Sequence, residues 1–520
     1  MYKTKILPAL VLLFLSSSLF AQVVNNASQL ASAISAATPG TTITLADGTW
    51  NNVAIIINKN GNAANPITVA AQTAGQVILT GNSRVYMSGS HITVTGLVFQ
   101  NPANLTFSGS ELRPVFDLQN CDSCKVLNNK IDGYNGTVAQ KAIKHKWVRT
   151  EGGQFVEIAH NSFLNKFGVG SIIVTNRSSA GTDFLKIHHN YFADRTPING
   201  FNDDNDQDAI RIGTSTTSLS NSFTEVYDNY FYNFFGEIEI ISNKSGENKY
   251  YNNTFRKYSG GLTLRHGDNC DVYGNYFFAE NNHSSGGVRV IGEGHKVYNN
   301  YIEGIKSSKA NGSNSNSTGG INVVNGKPNS ALNEYYQVKN AQIVNNTFVN
   351  CDYGLRIGMP VNSTLTLAPQ NLTVANNIAY NTSINPYSIV TPPTGNSVSQ
   401  GNQTNLASGN LVDDGNFHRI VSGSSAIDAS VGTYAYVVDD VLTGSRDANV
   451  DAGAEEFGGN GTKLPYTAAD VGVNVGFTND GNCYGYSKYK RSIESRKYFN
   501  CGDGRQYHRA SASYTIKQCA

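Results

Sequence analysis

Between about residue 40 and residue 457 the chain is written in short β-type runs separated by Gly, Asn, Ser and Asp, with no helical period of any length among them. Within the runs a small pattern returns: two or three β residues, Asn-Asn or a variant, then an aromatic or aliphatic pair. Val126-Leu-Asn-Asn-Lys-Ile131, Ile187-His-His-Asn-Tyr-Phe192, Val272-Tyr-Gly-Asn-Tyr-Phe277 and Val344-Asn-Asn-Thr-Phe348 are examples. The second asparagine falls at 129, 161, 190, 229, 253, 275, 300, 346 and 377, at intervals of 32, 29, 39, 24, 22, 25, 46 and 31. A floor of 22 to 25 with variable additions predicts a solenoid of single coils, with loops inserted on one side. Asparagines at the same corner of successive coils can bond to those above and below as a stacked amide ladder. The fold class read from this is all-β, a single-stranded parallel β-helix. The competing reading, turn asparagines of a β-sandwich, does not account for the aromatic that recurs two places on.

Ahead of the coils, residues 22–38 carry a short helical pattern with Asn26 or Ser28 as N-cap, ended by Pro39-Gly40. A helix there would cover the open end of the stack, which is otherwise an exposed edge. The β-helix is assigned to 22–457 and a C-terminal tail to 458–520. The part of the tail from Thr478 carries three cysteines and lacks the coil pattern.

The stretch from Glu237 to Gly267 concentrates the chemistry. Glu237 and Glu239 alternate with Ile238 and Ile240, which on a strand turns both carboxylates to one outer face, roughly 7 Å apart, with the isoleucines in the core. Two such carboxylates repel unless a cation lies between them. Lys244 follows just past the strand, and Leu262-Thr-Leu-Arg265 sets an arginine on the same outer face. Stepping by about one coil, Arg211, Glu239, Arg265, Arg289, Asn322 and Arg356 each sit between apolar neighbours, which predicts one polar column with ~4.8 Å between members. Arg211 and Arg289 are the candidates to meet a substrate carboxylate. His266, which turns away from Arg265 if the strand continues, is a candidate supporting residue. His145, in a basic aromatic stretch, is either a sugar contact or an exposed loop residue.

Charge narrows the partners. With 39 basic and 38 acidic residues the formal charge is +1, and the segment from Thr478 holds eight basic and three acidic residues, so the body is mildly acidic. A basic nucleic-acid binder is excluded, and a polyanion must be held by local charge and metal. Met1 to Ala21 has the form of an export signal, with Lys3 and Lys5 before the apolar run Ala9 to Leu15. That run is too short to span a bilayer and no later one is long enough, so the protein is expected to be secreted or periplasmic. Seven cysteines, an odd number, argue against a complete disulfide framework, and Cys121-x-x-Cys124 lacks a second pair at zinc spacing.

The motifs Ile210-Arg-Ile-Gly213, Glu237-x-Glu-Ile-Ile-x-x-Lys-Ser245 and Leu264-Arg-His-Gly-Asp268 together resemble polysaccharide lyase family 6, which includes alginate lyases and chondroitinase B. The similarity runs from Pro39-Gly through Ala46-Asp-Gly-Thr-Trp50 to about Asp451-Ala-Gly-Ala-Glu-Glu456, and the spacing of 21 between Lys244 and Arg265 is kept. The resemblance implies a right-handed parallel β-helix and eliminative cleavage of a uronate polysaccharide. It implies Lys244 as base, Arg265 as acid or leaving-group stabiliser, and Asn205, Glu237 and Glu239 as ligands of Ca2+. Oxygen-only ligands suit a hard cation. Alginate is the preferred substrate, because Gly286-Gly-Val-Arg-Val-Ile-Gly-Glu-Gly-His295 looks more like the alginate branch; dermatan or chondroitin sulfate is the alternative. A hydrolase or epimerase on the same solenoid, and a non-catalytic carbohydrate-binding or adhesin protein, are the readings of other kinds.

Overall fold

The computed structural model describes residues 22–198, 205–313 and 315–474; the export signal read in 1–21 and the tail beyond 474 lie outside them. The strands stack in parallel into three long sheets of 14, 13 and 12 strands. One coil contributes one strand to each. Lys249–Tyr251 enters the 14-stranded sheet, Thr254–Tyr258 the 13-stranded sheet and Gly260–His266 the 12-stranded sheet, and Asp271–Tyr273 then starts the next coil. The architecture is a right-handed parallel β-helix.

Its corner is the asparagine column read from the sequence. From Asn129 to Asn377, each backbone N–H and each side-chain Nδ2 donates to Oδ1 of the next coil's asparagine, at 2.9–3.3 Å, and Asn402 extends the column by one. The amides also donate to strand carbonyls, so these buried side chains satisfy the turn that would otherwise leave backbone groups unpaired. Inside the corner the recurring aromatic forms a second stack, Phe163, Phe192, Phe231, Phe255 and Phe277, with ring centroids 4.5–5.1 Å apart. One apolar core fills the prism from Val24 to Ala379.

The N-terminal cap is a strand followed by a helix. Gln22–Val24 pairs with Thr42–Leu45, and the helix Ala27–Ala36 lays Leu30, Ala33 and Ile34 on the core. Asn26 is its N-cap, accepting from Gln29 N at 2.9 Å. Among the described residues it is the one α-helix, and no helix is long and apolar enough to cross a membrane. Coil strands end at Gln403–Leu406; a hairpin, Leu411–Asp413 with His418–Ile420, and an irregular arm follow. That arm still packs on the coils, since Lys463 Nζ pairs with Asp228 and Gly472 N donates to His189 O at 2.7 Å. Insertions are not confined to one side, as the spacing predicted: they enter at both edges of the 12-stranded sheet, and the one between Val324 and Gln342 borders the charged face.

Candidate active site

The 12-stranded sheet carries the polar column, but with a different membership from the one read by counting coils. The register aligns Arg211, Ser242, Thr263, Arg289, Asn322 and Arg356. Glu239 and Arg265 fall outside it. The cause is local: the pairing of Glu239–Lys244 with Gly260–His266 shifts register between Glu239 and Ile241 and again between Asn243 and Lys244. The same bulge buries Ile240 and Ile241 together in the core and leaves Ile238 only half-buried, where strict alternation had placed Ile238 inside. Glu237 and Glu239 do not point out to solvent; they are 5% and 8% exposed.

Each carboxylate has its own surroundings. Glu239 is engaged by the Arg289 guanidinium, accepts from Ser242 Oγ at 2.5 Å and lies 3.9 Å from Arg265 Nε. Asp208, which the sequence reading passed over, is buried beside them. It accepts from Arg211 Nη2 at 2.7 Å and Ser171 Oγ at 2.5 Å. Asp208, Glu237 and Glu239 bring carboxylate oxygens within 4.8 Å of one another. Burial opposes ionisation of Asp208, but the Arg211 guanidinium and its hydrogen-bonding neighbours outweigh it and hold the carboxyl at about 2. Glu237 is the frustrated member: burial, then Asp208 and Glu239, push it well above the usual carboxylate range. Asp208 and Glu239 each have an arginine at hydrogen-bond distance, and a cation added to this cluster would let Glu237 give up the proton that burial and its acidic neighbours make it keep.

Asn205 is exposed, at the start of the stretch that leads to Asp208, and so differs from the three buried acidic side chains. A signal for Asp208 was present in the alternation Gln207-Asp-Ala-Ile210 just ahead of the Arg211 strand, but the run of five acidic and amide residues before it obscured the register.

Lys244 ends its strand between Gly213 and His266 of the neighbouring coils. Burial lowers its ammonium below the ordinary lysine value, and Arg211 and Arg265 lower it further against the pull of Glu239 and Asp208. Arg265 is held by the insertion that follows Val324. Its Nη1 donates to Glu334 O at 2.8 Å, its Nη2 to Asn333 O at 3.3 Å, and the guanidinium stacks 4.2 Å over the Tyr335 ring. His266 is buried between Ser215 Oγ at 3.3 Å and Glu334 O at 3.2 Å. Burial, with Arg265 and Lys244 alongside, keeps it neutral down to about 3. Lys244, Arg265, His266, Arg289, Arg211 and the two glutamates thus come together across four successive coils. His145 joins neither this group nor the surface: it is buried, and burial beside Lys166 drives its imidazole down to about 3.

Next to Arg289 and Asn322 lies a small hollow of about 10 Å³ lined by Gly260, Gly261, Gly286, Gly287 and Gly319. A Cβ on Gly287 would stand 2.2 Å from Gly320 O, and one on Gly261 2.6 Å from Gly287 O. Glycine there lets adjacent coils close up beside Arg289.

A parallel β-helix whose one face joins a carboxylate cluster, a lowered lysine and three arginines belongs to the class of solenoids that act on anionic polymers. Comparison with known proteins makes this specific. The family described as Chondroitinase B matches residues 24–431, and the chain belongs to polysaccharide lyase family 6. The alginate lyase AlyGC is similar at 30% identity, over 78% of this chain and 55% of that one, with a TM-score of 0.67. A mannuronic acid specific family 6 lyase from human gut microbiota is similar at 27% identity, over 71% of this chain and 81% of that one, with a TM-score of 0.61. Pedsa3628 from Pseudopedobacter saltans shares the fold at 24% identity, over 88% of this chain and 100% of that one, with a TM-score of 0.64. The chain spans a little over half the length of AlyGC and of its variant. A search of curated protein sequences gives no match.

Proposed function

We propose that the protein is a secreted lyase that cleaves alginate by β-elimination. The observation that carries this reading is Lys244, a lysine with its ammonium lowered by burial and by Arg211, on the same face as Arg265, Arg289 and the carboxylate cluster. Elimination removes the C5 proton of a uronate and breaks the bond to the 4-linked oxygen. Lys244, as free amine, takes that proton. Arg265 stabilises charge on the leaving oxygen and stays protonated throughout, since a guanidinium does not give up its proton in this range. Arg289 and Arg211 orient the uronate carboxylate, and the His266 ring, neutral and wedged between Ser215 and Glu334, keeps Arg265 and Lys244 in place.

The cluster suits calcium: three oxygen donors within 4.8 Å, one of them forced out of its ordinary ionisation for want of a countercharge. Asp208, Glu237 and Glu239 would hold the ion, with Asn205 the further oxygen donor that the family resemblance implies. When bound it would neutralise the substrate carboxylate and so make the C5 proton easier to remove.

Alginate is favoured over dermatan or chondroitin sulfate because AlyGC and the gut relative are named for alginate and mannuronate. The second reading keeps its place because the matching family is described as Chondroitinase B. An export signal over 1–21 fits a polymer that does not enter cells. Ultraviolet absorbance during incubation with alginate, dermatan sulfate and pectate tests the assignment. The account expects rising absorbance on alginate; a rise on dermatan sulfate alone moves the substrate to the second reading.

A further inference from the structure

Away from the charged face, at the corner shared by the 14- and 13-stranded sheets, the coils depart from their own rule. The residue just before each ladder asparagine adopts a left-handed backbone, φ 52–63°, and is Asn128, Asp228, Asn252, Gly274, Asn299, Asn345 or Asn376 in seven coils. Asn, Asp and Gly are the residues that take this conformation most readily. In two successive coils it is instead His160 and His189, and the position before His189 is His188. At that preceding position four later coils carry Tyr227, Tyr251, Tyr273 and Tyr298, stacked 4.8–5.1 Å apart, and His188 tops this stack 4.7 Å from Tyr227. The His188 ring is therefore fixed in plane by its neighbour.

The three rings converge. One ring nitrogen of each lies within 4.8 Å of the other two, and His160 stacks on His189 with centroids 4.9 Å apart. Their outer nitrogens meet carboxylates: His188 Nε2 is 3.2 Å from Glu157 Oε1, and His189 Nε2 is 3.7 Å from Asp228 Oδ2. An ionised carboxylate only accepts, so His188 Nε2, facing Glu157, carries that ring's proton. The lone pair on His188 Nδ1 faces His189 Nδ1 at 2.9 Å. A proton on His189 Nδ1 satisfies this contact, and a cation between the two nitrogens takes that proton's place, the ring then carrying its proton at Nε2 on the Asp228 side. Carboxylates behind histidine rings that free the inner nitrogens are the arrangement that orients imidazole toward a metal.

We propose that His160, His188 and His189 form a binding site for a borderline divalent cation such as zinc, one that clips two adjacent coils together. Imidazole nitrogen suits zinc, cobalt, nickel or copper and not calcium, so this site differs in kind from the oxygen cluster on the opposite side of the prism. The irregular C-terminal arm packs against the same corner, through Gly472 N on His189 O and Tyr466 6.1 Å from the His189 ring, so a bound ion would also steady the arm.

The test uses the full chain, stripped with chelator and titrated with zinc chloride by calorimetry, then with cobalt(II) for its visible absorption. The double variant His160→Asn/His189→Asn restores the corner residue that other coils use and so keeps the fold; His188→Phe, which keeps the stack on Tyr227, is an independent second variant. The wild type is expected to bind one zinc ion, to melt at a higher temperature with zinc than without, and to show cobalt bands of imidazole ligation. Both variants should lose zinc affinity by more than about a hundredfold, and Glu157→Gln by about 10–100-fold, with alginate cleavage in calcium unchanged. No stoichiometric zinc in the wild type overturns the proposal. So does equal zinc binding in the folded variants, which would place the ion elsewhere, for instance on the three cysteines after Thr478.

Discussion

Substitution of Lys244 separates the role of a base from the role of a charge. Lys244→Arg keeps the cation but removes the capacity to deprotonate, and Lys244→Ala removes both. A positioned general base contributes roughly 10²–10⁴-fold, or about 3–5 kcal/mol of barrier, and both variants should lose that factor in kcat with little change in KM. The lowered ammonium also sets the pH dependence. Below its pKa the free-base fraction grows tenfold per pH unit, so the rate should climb with pH and level off below the ordinary lysine value of 10.5. Removing a positive neighbour raises that pKa, so Arg265→Gln should shift the rising limb toward higher pH in addition to slowing turnover. Stability follows the same sign. Below the lowered value the folded state bears a partly buried ammonium and its cost; as pH rises from that value toward 10.5 the folded state binds fewer protons than the unfolded one and gains stability. At neutral pH, then, Lys244→Ala should not lower the denaturation midpoint. Initial rates from the ultraviolet absorbance of the unsaturated product, taken across pH for wild type, Lys244→Ala and Lys244→Arg, read all of this. A Lys244→Arg enzyme within tenfold of wild type would remove Lys244 from proton abstraction.

Three further outcomes follow from the geometry. Chelation should stop cleavage and calcium restore it, while Glu237→Gln/Glu239→Gln loses calcium binding by calorimetry and rate together; activity in protein free of metal by elemental analysis contradicts the calcium role. Asn253→Ala should destabilise by about 2–5 kcal/mol in urea unfolding, because Asn229 N–H and Val226 O lose buried partners at 3.1 and 2.9 Å. Gly287→Ala should lower the urea unfolding midpoint, since the new methyl meets the backbone oxygen of Gly320 at 2.2 Å and forces adjacent coils apart.

The solenoid was legible because its corner is a side-chain ladder: an asparagine that must accept from the next coil and donate to strand carbonyls leaves a mark at every turn, whatever the loop lengths between. Arg265, Glu237 and Glu239 could be picked out as charges beside apolar strand residues, and Lys244 by its place just past the strand and its spacing of 21 to Arg265. The register was not legible. A period of two assigns faces only while a strand is regular, and the bulges around Glu239–Ile241 and Asn243–Lys244 carry no sequence signal. They turned two expected outward glutamates inward and moved Arg265 out of the Arg211 column. Asp208 was missed because its importance comes from Ser171 and Arg211, which spacing alone does not bring to it. His145 was misplaced for the converse reason: a basic, aromatic run reads as surface until the chain is folded over it.

The central claim is elimination at a uronate, and the mass of the new chain ends tests it most directly. Wild-type protein with calcium is incubated with alginate, and the oligosaccharides are measured by mass spectrometry alongside those from the Lys244→Ala reaction. The account predicts fragments whose non-reducing end lacks one water, bears the conjugated double bond, and disappears with Lys244. Fragments carrying the full added water would make the protein a hydrolase and contradict the account, as would cleavage that persists undiminished without Lys244.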